Sequence, residues 1–113
     1  MTPLHIQGDI ALRPATLPTS IRRIEHAPLA LGEVSGHAHV IDAPADNYQL
    51  FRDDNGKTFV AIGSDGAQLR HVRLKTGEQA DHHPIVLPPN TCYEVILQNE
   101  YNPEADAMQR VHD

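Results

Sequence analysis

Two histidines placed two residues apart, His37 and His39, sit in the stretch Gly32-Glu33-Val34-Ser35-Gly36-His37-Ala38-His39-Val40-Ile41. If this stretch is extended, side chains alternate between its faces. Glu33, Ser35, His37, His39 and Ile41 then share one face, and Val34, Gly36, Ala38 and Val40 share the other. The second face is small and apolar and suits packing. The first sets two imidazoles side by side, within reach of one ion. Neutral imidazole is a common ligand of zinc, copper, iron and nickel. A catalytic metal site takes about three protein ligands and keeps an open position, so His37 and His39 supply two. A second pair, His82-His83, opens another strand-like run. Adjacent residues of a strand face opposite ways, so only one of that pair can join the first. The same residues also fit a plainer reading, in which they are solvated histidines on a strand surface.

The elements that must hold these groups read as short strands. Ile6, Ile10 and Leu12 flank Gly8-Asp9, which suggests a short strand or β-arch. Arg13-Pro14 through Leu17-Pro18 is a loop, because proline withholds an amide donor and restricts its predecessor. Ile21 to His26 is strand-like until Pro28. Asp42 to Asn47 is a turn, and Tyr48 to Arg52 is a strand. Asp53-Asp54-Asn55-Gly56 is the clearest hairpin signal, since Asn-Gly accepts the positive φ of a tight turn. Lys57 to Ile62, Gln68 to Leu74, His82 to Leu87 and Thr91 to Gln98 complete the set. His71 alternates with apolar neighbours and reads as a partly buried structural histidine. Glu104 to Val111 follows Asn102-Pro103, a cap and first-turn pair, and suggests a short C-terminal helix. Seven or eight short strands with regular turns indicate a single all-β domain over residues 1–113, a small antiparallel β-sandwich or barrel.

Composition narrows the partners. Nine Lys and Arg stand against fifteen Asp and Glu, a net charge of −6 with histidines neutral. That argues against nucleic acid or an anionic membrane as a partner. Eight histidines make the charge sensitive to pH between about 5 and 7. The single Cys92 excludes an internal disulfide and a multi-cysteine zinc site. The opening Met1-Thr2-Pro3-Leu4-His5 is not a signal peptide, and no apolar run reaches membrane-spanning length, so a cytoplasmic location is expected. With two Phe, three Tyr and no Trp, the core is aliphatic. A small aliphatic sandwich with open edges is expected to form a homo-oligomer. No phosphate loop or nucleophile elbow is present, and Glu94 and Glu100 read as solvated residues or as groups supporting a histidine.

A His-x-His strand with a later histidine in a short all-β chain resembles the cupin superfamily. The resemblance rests on Gly32, His37, His39 and His82, and implies a metal held by His37, His39 and His82. A glutamate soon after His-x-His and a Pro-x-Gly motif, both usual in cupins, are missing. The chain also resembles a family of small uncharacterised bacterial and phage proteins. The residues that carry this likeness are Gly8-Asp9-Ile10, Gly32 to His39, His82 to Pro88, Tyr93 to Val95, Gln98 to Pro103 and Val111 to Asp113. That family brings no established activity. The expectation is therefore a small β-domain with a divalent metal ion (Zn, Ni, Fe or Cu) on His37, His39 and His82, binding or acting on a small molecule. The alternative is a metal-free homo-oligomeric module that binds another protein. No general base or nucleophile marks it as an enzyme.

Overall fold

A computed structural model of the chain describes residues 4–31, 36–80 and 82–97. Ten strands lie among the described residues: β1 (His5–Gln7), β2 (Ile10–Pro14), β3 (Ile21–Ile24), β4 (Ala30–Leu31), β5 (His37–Asp42), β6 (Tyr48–Asp53), β7 (Thr58–Ile62), β8 (Ala67–Arg73), β9 (Ile85–Leu87) and β10 (Cys92–Leu97). They form two antiparallel sheets. Sheet A has the order β1-β2-β10-β7-β6-β3, and sheet B has β4-β5-β8-β9. The all-β reading therefore stands, with only a 3-10 turn at Pro44–Asp46 besides strands among the described residues. Gly32, Glu33, the Gln98–Pro103 motif and the expected helix over Glu104–Val111 lie outside them.

Two short connections set the register that matters for function. Gln7 pairs with Ile10, so only Gly8 and Asp9 join β1 to β2. Gly8 has φ +61°, the positive value that a type II′ turn demands of its first central residue. The hairpin at Asp53-Asp54-Asn55-Gly56 also forms, but only Gly56 of the Asn-Gly pair takes a positive φ, of 83°. Asp53 Oδ1 accepts the amides of Asn55 and Lys57 and Gly56 donates to the Asp53 carbonyl. The turn is thus a longer one stitched by its first aspartate.

Between the sheets lies an aliphatic core of Ile10, Leu12, Ile41, Leu50, Val60, Ile62, Leu69 and Leu87, with Tyr48 and Tyr93. Residues opposite one another across antiparallel strands share a face. Ile41 pairs with Leu69 and His39 with His71, so these four project from the same side of sheet B. Because Ile41 and Leu69 are core residues, the histidine side of β5 is the inner side. Ala38 on the other face is fully buried as expected, but the expectation that the histidines lie opposite the packing face is corrected, because they share the core side with Ile41. The inner face of sheet B is apolar along Ile41, Leu69 and Leu87 and turns polar toward His39, His37 and His71. The chain accepts polar groups indoors because sheet A presents polar groups to meet them.

Candidate histidine site between the sheets

Four imidazoles gather at that polar end. His39 stacks on His71 with ring centres 4.6 Å apart. His71 lies 4.9 Å from His82 and 5.3 Å from His37, and His39 lies 6.3 Å from His82. His39 and His71 are 1% and 4% exposed, His37 is half-buried and His82 is exposed at the outer lip. Of the residues singled out from sequence, His37, His39 and His82 therefore share one cluster. His71, read as a structural histidine, is placed at its centre by its pairing with His39. His83 stays on the surface and contributes only its carbonyl.

The cluster is joined to sheet A by Gln7, a residue the sequence reading passed over. Its side chain is 2% exposed. Gln7 Nε2 donates to the Leu69 carbonyl at 2.9 Å and to the His83 carbonyl at 2.8 Å. Those two bonds use both amide hydrogens and fix the amide orientation, so Oε1 faces His39 Nδ1 at 3.0 Å. On the other side of the ring, His39 Nε2 lies 3.0 Å from Asp9 Oδ1. Asp9 comes from the β1–β2 turn, and its side chain is 16% exposed. The turn also limits the space around the rings. A Cβ on Gly8 would sit 2.7 Å from His82 Nε2 and 3.3 Å from His39 Cε1; the exposed His82 ring can turn aside, so it is the positive φ that calls for glycine here.

These contacts leave His39 one hydrogen short. Both of its neighbours, an amide oxygen and a carboxylate, are acceptors. Burial pushes the His39 pKa below its ordinary value of 6.5. The charge and hydrogen bond of Asp9 pull it upward, and the charge of His82 adds to the lowering. With burial dominant, the ring carries a single hydrogen at neutral pH. It can donate to Gln7 or to Asp9, and the other nitrogen then presents its lone pair to an oxygen at 3.0 Å. Whichever nitrogen carries the hydrogen, one of the two contacts lacks one. His37 Nδ1 is likewise buried without a hydrogen-bond partner among the described residues.

As the side chains stand, no group of three or more His, Cys, Asp or Glu among the described residues is arranged to hold a metal ion. An open groove of about 480 Å³ lies elsewhere, lined by Asp42, Pro44, Asp65, Gln68, Val86 and Pro89 among others, and includes none of the histidines. No helix among the described residues is long and apolar enough to cross a membrane.

Asp9 had one signal in the sequence, its place in the Gly8-Asp9 pair that separates Ile6 from Ile10 and Leu12. Gln7 had none, because a glutamine in a strand is ordinarily solvated. No curated protein and no solved structure matches the chain. The family model described as "Domain of unknown function (DUF8820)" matches residues 6–98, and the chain belongs to that family.

Proposed function

We propose that this domain binds a divalent transition metal ion, of the zinc, nickel, iron or copper type, at the polar end of its inter-sheet space. What supports the reading is that His39 is held between two acceptors, Gln7 Oε1 and Asp9 Oδ1, each 3.0 Å from a ring nitrogen, so a neutral ring leaves one contact without a hydrogen. A cation between His39 Nε2 and Asp9 Oδ1 satisfies both atoms and leaves the His39 Nδ1 hydrogen to Gln7. Metal-bound histidines generally donate their second ring nitrogen to such a fixed oxygen. The spacing agrees. Two atoms each bonded at about 2.0–2.1 Å to one ion stand about 3.0–3.4 Å apart, and His39 Nε2 and Asp9 Oδ1 are 3.0 Å apart. Imidazoles sharing a tetrahedral ion have ring centres about 5 Å apart, and His39 and His82, at 6.3 Å, reach that spacing once the exposed His82 ring turns inward.

His39 and Asp9 form the base of the site, and His37 and His82 close it after rotating their rings. His37 has a buried nitrogen to offer, and His82 is exposed enough to turn. A His-x-His strand facing a later histidine is the feature by which the chain resembles cupins. An ion with fewer protein ligands than it can take keeps a position for a small molecule.

Elemental analysis of tag-free protein, before and after chelation and then after reconstitution with zinc, nickel, iron(II) and copper, tests the reading. About one ion per chain is expected in the wild type, with most of it lost in His37→Ala and Asp9→Asn. A wild-type value near zero after reconstitution overturns it. The alternative, a homo-oligomeric module, draws on the exposed apolar side chains Leu31, Val86 and Ile6. Light scattering checks it, since a monomer gives 12.5 kDa.

A further inference from the structure

The groove away from the histidines, about 480 Å³ in volume, has a floor that the strand register defines. Asp42 is opposite Gln68, and Gln68 is opposite Val86. The three form one row across β5, β8 and β9. They lie on the outer face of sheet B, since their neighbours Ile41 and Leu69 face the core, and all three are exposed. The walls are the connections at that end of the sheet: Pro44 after β5, Asp65 before β8, and Pro88-Pro89 after β9. These connections are fastened to one another at Gly63. Its amide donates to the Asn47 carbonyl at 3.1 Å, and its carbonyl accepts the amides of Gly66 and Asn90 at 3.2 and 3.1 Å. Ala45, Asp46 and Asn90, the non-glycine residues with positive φ among the described residues, stand next to the proline walls. Such backbone persists only where its surroundings hold it, so the groove is a built feature of the fold. Its size is that of a small-molecule site.

The geometry points to a binding site in this groove for a small aliphatic primary amine, with its ammonium on Asp42 and Asp65 and its alkyl chain along Val86, Pro88 and Pro89. Charge selects a cation. The lining holds two carboxylates and no Lys or Arg, on a chain of net charge −6. The Asp65 side chain has no hydrogen bond or ion pair among the described residues. Arg70 Nη1 reaches Asp42 Oδ2 at 3.3 Å and leaves Oδ1 open. A guanidinium ligand pairs best with both oxygens of a carboxylate, whereas an ammonium is a compact charge that needs only one. The row sets the length. Neighbouring strands lie about 4.8 Å apart, so Asp42 and Val86 stand about 10 Å apart across the sheet, the reach of an amine with about six carbons. Val86 is 69% exposed, apolar surface that such a chain covers. The site shares no residue with the histidine cluster and does not depend on metal there.

The test titrates hexylamine into the full chain, isotope-labelled and treated with EDTA so that the metal question does not enter, and follows the backbone amide resonances at low salt. Saturable shifts confined to the groove, at Gly66, Gln68 and Val86, are expected. Hexanoate, the same chain with the opposite charge, should give none, and hexanol should bind more weakly than the amine. Asp65→Asn should weaken hexylamine binding about tenfold, the loss of one charged hydrogen bond. Val86→Ser should weaken hexylamine and hexanol alike. Both positions are exposed, and unchanged resonances elsewhere check that the variants fold. Shifts that rise linearly without saturation, that spread over the other acidic surfaces, or that survive Asp42→Asn and Asp65→Asn combined, overturn the proposal. So does binding of hexanoate as tight as that of hexylamine.

Discussion

Replacing Gln7 by Leu tests the link between the fold and the candidate site, because this one side chain serves both. Leucine has nearly the same bulk and removes every polar contact. Three hydrogen bonds go: those to the Leu69 and His83 carbonyls and the one to His39 Nδ1. At a net value of about 1 kcal/mol each they amount to about 3 kcal/mol. The leucine itself recovers about 1 kcal/mol through its buried apolar surface. The His39 nitrogen and the Leu69 carbonyl lose a buried partner, which costs more than an exposed loss. A net destabilisation of about 2–3 kcal/mol is expected, or a fall in Tm of about 10 °C for a chain of this size. Urea unfolding of metal-free wild type and variant measures it. In a parallel metal titration, loss of the oxygen that orients His39 should weaken affinity about 10–100-fold. A stability loss below about 0.5 kcal/mol refutes the buried clip between the sheets. A normal loss of stability with unchanged metal affinity refutes the orienting role and leaves the clip intact.

Gly8→Ala should cost about 1–3 kcal/mol from the positive φ alone and should also displace His82, whose Nε2 lies 2.7 Å from the added Cβ position; differential scanning calorimetry and the His82 resonances report the two effects. The His39 ring should titrate with a midpoint below 6.5, because burial outweighs Asp9, and Asp9→Asn should move that midpoint further down; a wild-type midpoint above 6.5 refutes the ordering of these causes. Since the folded chain resists protonating His39, its contribution to stability is complete above pH 6.5 and is lost as pH falls from 6.5 to the lower folded-state value, which unfolding of metal-free protein across that range measures. Metal uptake should fall as pH drops through about 6.5, because protons compete for the same lone pairs, and His37→Ala should remove most of the metal at any pH.

The sequence revealed the strands more readily than the way they face. Turn residues such as Gly8-Asp9, Asn55-Gly56 and Pro88-Pro89 punctuate the chain clearly, and the β-branched runs between them leave little doubt about an all-β domain. Which side of β5 points inward was harder to read. The alternation His37, Ala38, His39, Val40, Ile41 offers a small apolar face through Ala38 and Val40, and a mixed one through the histidines and Ile41. Local hydrophobicity favours the first. The fold buries Ala38 too, but turns the second face to the core because Ile41 meets Leu69 there, and because the cost of burying His39 is offset by partners far along the chain. Those partners are Gln7, 32 residues away, and Asp9, 30 residues away. A polar residue inside a strand gives no sign of such a partner until the sheets are assembled, so Gln7 was invisible and His71 looked merely structural. His37, His39 and His82 were legible because imidazole carries its chemistry in its identity. The residues that orient them were not, because orientation is a property of the two sheets facing each other. The same logic explains why one substitution at Gln7 should disturb stability and metal affinity together, whereas His37→Ala, at the half-buried end of the cluster, should disturb chiefly the metal.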